Sequence, residues 1–242
     1  MNVVKGRFIG VGVGPGDPEL LTVKAWRLIQ HANVLSFLTN DQGESQARRI
    51  ALEAIESAVG GQTEVPIYMP MLKARNLANQ AYDQGAKTIA EQLDKGLDVV
   101  FLCEGDPLFY GSFSYLLERL QGEYSCEVVP GISSINAAAA CLTQPLTMLK
   151  ESFAVLNGRH SDEQILAGLN QYDSLVIMKA GQARPRILAL LEQSGRQGEA
   201  KYLEYIGRDN QKIVSDLSRL DRVAGPYFSL FVVARGQGRE NQ

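Results

Sequence analysis

The sequence predicts an α/β protein of two α/β domains with a ligand cleft between them. Three observations predict it. Short apolar or β-branched runs alternate with longer helical ones through most of the chain. Glycine- and proline-bearing turns follow several of the strands, where open α/β sheets bind their ligands. The alternation pauses at Thr143-Gln144-Pro145-Leu146 and then restarts. A boundary near Gln144 to Lys150 follows, with domains at residues 1–145 and 146–242.

Arg7 to Val13 predicts a strand. Pro18 to His31 predicts a helix, with Asp17 as its N-cap, Pro18 at the first helical position, and Leu20, Leu21, Ala25, Leu28 and Ile29 on an apolar face. Val34 to Phe37 is a second strand and Ser45 to Ser57 a second helix. Glu64 to Ile67 is a short strand, and Ala81 to Leu93 a helix closed by Gly96. Asp98 to Cys103 is a buried strand, Ser112 to Leu120 a helix, Cys126 to Val129 a strand and Ser133 to Leu142 an alanine-rich helix. Beyond the boundary, Ser152 to Asn157, Ser174 to Met178, Ala200 to Tyr205 and Ser229 to Ala234 predict strands. Glu163 to Leu169 and Arg184 to Gln193 predict helices. Strands separated by helices imply right-handed crossovers and mainly parallel sheets.

Composition narrows the function. The 242 residues are 45% hydrophobic and 21% charged, and 24 Lys and Arg face 27 Asp and Glu for a net charge of −3. That balance argues against a protein living on non-specific nucleic-acid binding. No apolar run approaches the ~18 residues of a membrane helix, and the N-terminus lacks the pattern of a signal peptide. The cytoplasm is the expected compartment. Three cysteines (Cys103, Cys126, Cys141) without CxxC spacing predict neither a disulfide framework nor structural zinc. The two histidines, His31 and His160, lie far apart, so no metal site is expected.

Four groups of residues could carry chemistry. Gly10-Val11-Gly12-Val13-Gly14-Pro15-Gly16-Asp17 follows a strand and opens a helix. The dinucleotide fingerprint fails there, because G-x-G-x-x-G meets Pro15 from Gly10 and Asp17 from Gly12. Asp17 also sets a carboxylate at the helix's positive pole, which opposes a phosphate. Either a tight turn or a loop approaching some other ligand accounts for it. Glu104-Gly105-Asp106-Pro107-Leu108-Phe109-Tyr110-Gly111-Ser112 follows a strand, and two carboxylates beside a glycine suit an ammonium or sulfonium. The alternative is that Asp106 organises a proline turn and Ser112 caps the next helix. Pro130-Gly131-Ile132-Ser133-Ser134 is a third strand-to-helix turn, whose hydroxyls cap the helix or hold a ligand carboxylate. The fourth group is Met178-Lys179-Ala180-Gly181, Glu204-Tyr205-Ile206-Gly207-Arg208 and Gly225-Pro226-Tyr227-Phe228-Ser229, where core packing competes with ligand contact. No G-x-S-x-G elbow appears, and no Ser or Cys has a plausible His base beside it. Binding loops without a covalent centre suit a reaction whose reactivity resides in its substrates.

Together and in this order, these stretches resemble the tetrapyrrole methylases, which are S-adenosylmethionine-dependent enzymes. The carriers are the opening Gly-Val-Gly-Pro-Gly-Asp-Pro-Glu-Leu-Leu-Thr-Val-Lys-Ala, the Gly-Asp-Pro loop, Val-Pro-Gly-Ile-Ser-Ser and Glu-Tyr-Ile-Gly. The likeness spans nearly the whole chain, and it implies two α/β domains with the cofactor in the cleft and a homodimer. Residues 103–116, 176–181 and 226–230 and the Pro66-to-Met71 segment point, by the same resemblance, to methylation of carbon C20 of precorrin-2. Its cobalt-loaded counterpart, cobalt-factor II, is the other substrate implied. Carried over, Pro15 lies in the first loop beneath the cleft. Glu104, Gly105 and Asp106 line the methionine end of the cofactor with Phe109 beside them, and Ser133 and Ser134 hydrogen-bond it. Met178, Tyr205, Gly207, Tyr227 and Phe228 wall the adenosine. In the siroheme-forming branch an Asp acts as acid/base just after the second strand. This sequence has Leu38 there, with Asp41 the nearest acid, so uroporphyrinogen is disfavoured and no general base is named. Lys73, Arg75, Lys150, Arg159 and Lys179 are candidates by loop position for the substrate's carboxylates. Other readings are a different ring carbon, the family's RNA ribose methylation, and a non-catalytic adenosine-ligand module. Nicotinamide redox chemistry ranks last.

Overall fold

The computed structural model describes residues 4–70 and 75–235, with only the backbone of Arg75. The chain divides into two compact units, Met1–Ser134 and Ile135–Gln242.

The first unit is built on five strands: β1 (Phe8–Gly12), β2 (Val34–Thr39), β3 (Thr63–Tyr68), β4 (Val99–Cys103) and β5 (Cys126–Val129). They form one sheet in the order β3-β2-β4-β1-β5, and every pairing is parallel. A parallel sheet is covered on both faces, so its central strands β1 and β4 are buried throughout. Phe8, Val99 and Phe101 face one core with Ile89, Leu93, Phe113 and Leu116. Ile9, Val11, Val100 and Leu102 face the other with Ala25, Ile29 and Ile50. The helices are α1 (Val23–Gln30), α2 (Gln46–Ile50), α3 (Leu52–Glu56), α4 (Arg75–Leu93) and α5 (Phe113–Leu120).

Several elements differ from expectation for local reasons. The helix predicted over Pro18 to His31 is two pieces. Asp17 caps only a 3₁₀ turn (Pro18–Leu20), then Leu21 is extended and Thr22 caps α1 through the amide of Ala25, 3.1 Å away. The helix predicted over Ser45 to Ser57 is interrupted at Ala51 (ψ 5°). Conversely α4 begins at Arg75 rather than Ala81, and Ala78 in the added turns packs on the same core as Tyr82. Ser112 stands before α5 but its side chain makes no capping bond.

The second unit begins with α6 (Ser134–Leu142) and continues β6 (Phe153–Asn157), α7 (Asp162–Gln171), β7 (Ser174–Met178), α8 (Arg184–Gln193), β8 (Ala200–Glu204), β9 (Lys212–Val214) and β10 (Ser229–Ala234). The sheet order is β6-β7-β10-β8-β9. Here the expectation of a mainly parallel sheet is corrected. Only β6 and β7 pair in parallel, while β10 runs antiparallel to both β7 and β8, and β9 antiparallel to β8. The reason lies in the connections. No α-helix separates β8 from β9 or β9 from β10, and without a helical crossover the chain returns antiparallel. The short β9 had no alternating signal to announce it.

The division also falls eleven residues before the domain boundary read from the sequence, after Ser134 rather than after Pro145. Ile135, Ala137 and Ala138 of α6 pack with Val176, Leu203, Leu230 and Val232. Helix α6 thus covers one face of the second sheet, and α7 and α8 cover the other through Ile165, Leu169, Ile187 and Leu191. The Gln144 turn that signals a break is the connection between α6 and β6.

Gly10 lets an aromatic ring pack directly against the first sheet. A Cβ there would lie 2.6 Å from the Phe113 ring, which stacks on Phe8 at 4.9 Å between centroids. Gly10→Ala should therefore destabilise the first unit by about 1–3 kcal/mol. Thermal unfolding should show Phe113→Leu recovering part of the loss in that background. A Gly10→Ala protein as stable as wild type would contradict this packing.

Candidate functional site

Strands β4, β1 and β5 are neighbours, so their carboxyl ends deliver three predicted loops side by side. Pairing continues past the strands. The Val13 amide donates to the Cys103 carbonyl at 2.9 Å, and the Gly105 amide to the Gly14 carbonyl at 2.8 Å. Gly12, Gly105 and Gly131 let the loops touch backbone to backbone. A Cβ on Gly131 would lie 2.1 Å from the Gly105 oxygen, and one on Gly12 would lie 2.6 Å from it. Gly105 itself adopts φ +65°, a left-handed conformation that glycine takes without strain.

Asp106 fastens this arrangement. One carboxylate oxygen accepts from the Leu108 amide at 2.9 Å and the other from the Gly131 amide at 3.1 Å. Both oxygens thus serve the loops, and of the two carboxylates noted in the sequence Asp106 is a clamp. Glu104 is half-buried at the end of β4, and Pro15 is buried. Phe109 is 37% exposed and Tyr110 42%, their ring centroids 5.1 Å apart. Ser133 and Ser134 are half-buried, with Ser134 opening α6. Asp17 turns its carboxylate to the Glu19 amide at 2.9 Å, so the first helical turn is already capped by an anion.

Just beneath the loops, burial pushes the Cys103 thiol up to about 11, and the charges of Glu104 and Asp106 add to the effect. Its thiolate is the reactive form, so Cys103 is inert at neutral pH. At the far side of the sheet, Asp41 follows β2 and accepts a 2.8 Å hydrogen bond from the exposed Tyr68 hydroxyl, which raises the phenol above its ordinary value.

In the second unit, the ends of β7 and β8 and the start of antiparallel β10 lie at one edge of the sheet. Met178 pairs with Leu230, and the Tyr205 amide donates to the Phe228 carbonyl at 2.9 Å. The Tyr205 and Phe228 rings are 6.4 Å apart, and Tyr227 meets Phe228 edge-on at 5.1 Å. Lys179 and Tyr205 both hold φ +52° and Gly207 φ +74°. Non-glycine residues in that region are strained, and such strain clusters where a fold fixes a functional loop. Arg208, in the Glu204-to-Arg208 stretch, has no role that the sequence alone assigns. Its guanidinium carbon lies 3.9 Å from the Phe228 centroid and 5.9 Å from that of Tyr205, a cation–π contact that closes the aromatic group. A cation near aromatic residues in one loop is the signal that could have found it, but the partner ring is twenty residues away.

The structure thus places Pro15, Glu104, Gly105, Asp106, Phe109 and Ser133 on one loop cluster of the first unit, with Ser134 adjoining. It places Met178, Tyr205, Gly207, Tyr227 and Phe228 on one sheet edge of the second. Of the basic candidates, Arg159 follows β6 at that same edge, where the Gly158 amide donates to the Met178 carbonyl at 2.7 Å. Lys179 is half-buried there, and Lys150 is exposed in the connection before β6. Lys73, Met71 and the side chain of Arg75 lie outside the described residues. Among the described residues, no three His, Cys, Asp or Glu gather to hold a metal ion.

The family model for Tetrapyrrole (Corrin/Porphyrin) Methylases matches residues 7–221, and the chain belongs to that family. It is 35% identical over 236 residues to the Precorrin-2 C(20)-methyltransferase of a Sinorhizobium species, covering 94% of this chain and 95% of that protein. It is 31% identical over 193 residues to the Cobalt-precorrin-2 C(20)-methyltransferase of Salmonella typhimurium, covering 79% and 80%. It is also 34% identical to the Cobalamin biosynthesis protein CobIJ of Mycobacterium tuberculosis. That match takes in 97% of this chain and 47% of the relative, so the chain spans about half the length of that protein. Among solved structures, the uroporphyrin-III C-methyl transferase of Thermus thermophilus complexed with S-adenyl homocysteine shares the fold. Its TM-score is 0.65 at 23% identity, over 95% of this chain and 98% of that one.

The thiols give a direct test of the loop packing. At pH 8 an alkylating reagent should modify exposed Cys141 in the native protein and reach Cys103 only after denaturation. Peptide mapping that finds Cys103 modified as fast as Cys141 would show that the β4 end is open.

Proposed function

We propose that this chain transfers the methyl group of S-adenosylmethionine to carbon C20 of precorrin-2, or of its cobalt-loaded form, in cobalamin biosynthesis. The observation that carries the reading is the likeness to a relative of that printed activity along nearly the full length of both chains.

The residues present fit such a cofactor. The first unit offers polar groups on a rigid backbone floor: Glu104 and the hydroxyls of Ser133 and Ser134, with Gly105 approachable because nothing but the Ile132 oxygen lies within 4.0 Å of its Cβ direction. These suit the amino and carboxylate ends of the methionine moiety, with Asp106 and buried Pro15 fixing the loops and Phe109 beside them. The second unit offers half-exposed rings, Tyr205, Phe228 and Tyr227, with Met178 and Gly207 adjoining, which suit a purine. When bound, S-adenosylmethionine supplies an electrophilic methyl, which C20 of the electron-rich ring takes in line as S-adenosylhomocysteine leaves and C20 loses a proton. The chain's own residues hold the two reactants in register and exclude water, a contribution worth roughly 7–11 kcal/mol in favourable cases. Arg159 and Lys179, on adjacent loops, are the cations best placed for the substrate's acetate and propionate groups. No nucleophile of the protein is needed, which agrees with the buried, unreactive Cys103.

The same reading makes the protein a cytoplasmic homodimer that binds neither nucleic acid nor membrane. The net charge of −3 supports the first exclusion. Among the described residues no helix is long and apolar enough to cross a membrane. Light scattering should return twice the chain's mass.

Anaerobic incubation with methyl-labelled S-adenosylmethionine and precorrin-2, in parallel with the cobalt-loaded analogue, should yield a carbon NMR signal for a new methyl at C20. The substrate that yields it names the route. A new methyl at another ring carbon, or none from either substrate, would overturn the assignment of C20. For the cofactor, Phe228→Ala should weaken S-adenosylhomocysteine binding about five- to tenfold by calorimetry, the value of one lost ring contact.

A further inference from the structure

We propose that the buried Arg184–Glu204 ion pair is the positioning device for the aromatic group of the second unit. It fixes the backbone of residues 223–228 and the end of β8, so that Tyr205, Tyr227 and Phe228 present one preformed surface to the adenosine. The proposal rests on the assignment of those rings to the cofactor.

Arg184 opens α8 and is only 5% exposed, and Glu204 is the last residue of β8 at 8%. Every donor that Arg184 uses points away from its own helix. Its Nε donates to the Val223 carbonyl at 2.7 Å, one terminal nitrogen donates to the Ala224 carbonyl at 3.4 Å, and the other reaches a Glu204 oxygen at 3.1 Å. The guanidinium carbon lies 5.4 Å from the centroid of the Tyr202 ring.

Neither helix stability nor core stability accounts for this placement. A cation at a helix N-terminus opposes the macrodipole. A buried ion pair is a weak source of stability, because desolvation cancels most of the attraction. What the pair does achieve is geometric. Asp221 to Ala224 are exposed and lie in no strand or α-helix. The planar fork of Arg184 gathers two successive carbonyls of that stretch and ties them to β8 one residue before Tyr205.

The next residues lie directly on the pair. The Gly225 amide donates to the Gly181 carbonyl at 2.8 Å. A Cβ on Gly225 would lie 2.4 Å from the Tyr202 hydroxyl and 2.9 Å from an Arg184 nitrogen, and one on Gly181 would lie 1.9 Å from the Pro226 oxygen. From Pro226 the chain runs through Tyr227 to Phe228, whose carbonyl accepts from Tyr205. The ion pair therefore fixes both ends of the ring group, Tyr205 through Glu204 and Tyr227 with Phe228 through the carbonyls of Val223 and Ala224.

The test uses the full chain. In the double variant Arg184→Met with Glu204→Leu, both charges go and apolar volume remains. Its melting temperature should stay within a few degrees of wild type, while the Kd for S-adenosylhomocysteine and the KM for S-adenosylmethionine rise about tenfold. At saturating S-adenosylmethionine, kcat and the KM for the tetrapyrrole should change less than twofold. Arg184→Lys keeps the charge beside Glu204 but loses the fork, and should raise the same Kd about threefold or more at an unchanged melting temperature. If the double variant does not fold, Arg184→Lys decides alone. Wild-type affinity in whichever folded variant is measured overturns the proposal, as does a loss of binding no larger than the unfolded fraction. Phe228→Ala, measured in parallel, separates the two levels. If it binds as tightly as wild type, the adenosine assignment falls and the proposal with it. If it binds weakly while the ion-pair variants bind normally, only the positioning role falls.

Discussion

The backbone contact among the loops after β1, β4 and β5 is the constraint on which the first unit's candidate functional edge depends. A side chain on Gly12 or Gly131 would run into the Gly105 carbonyl, and Asp106 holds two of the three loops together with both carboxylate oxygens. The sheet order places β1 between β4 and β5, so these loops cannot avoid one another. Glycine there answers a steric demand, and Asp106 satisfies amides that would otherwise sit unpaired in a half-buried turn. A site built this way is preformed, and little ordering entropy is left for a ligand to offset.

The second unit reaches a comparable result by a different topology. Inserting β10 antiparallel between β7 and β8 brings the start of one strand to the edge where two others end. Three chain segments then contribute rings and strained turns to one place: Lys179, Tyr205 with Gly207, and Tyr227 with Phe228. An all-parallel sheet would have carried residues 225–228 to the opposite edge. The buried charge of Arg184 is understandable in the same light, because a segment returning without a helix has few other anchors.

The chemistry of the family matches this division of labour. In the proposed reaction a methyl sulfonium and an electron-rich ring react when aligned, which would leave the protein to hold, orient and dry them. Nothing described in either loop set is an activated nucleophile, and the one thiol near the first set is silenced by burial. The demand on the fold is rigidity at two edges, and the structure supplies it through glycine contacts at one and an ion pair with a cation–π stack at the other.

Much of this was legible in the sequence. Apolar periodicity located nine of the strands and most of the helices, because burial on both faces of a sheet leaves continuous runs that no loop resembles. Strand-to-helix turns rich in glycine and proline marked the loops, and their order carried the family. Local signals failed where the deciding partner was distant. The split after Leu20 depended on two caps competing within six residues, and β9 was too short to show a period. The sequence break at 143–146 marked a real turn, but α6 joined the second unit because its alanine face found the second sheet. The roles of individual site residues were less legible still. Asp106 stood out as a carboxylate suited to a cation, and only the position of the Gly131 amide made it a clamp. Arg184 and Glu204 are twenty residues apart and gave no signal. The sequence by itself determined most of the elements, the loops and the family, because these depend on neighbours along the chain. The strand directions in the second sheet, the division of the chain and the partners of its buried charges were decided by tertiary structure alone, because they depend on which segments burial brings together.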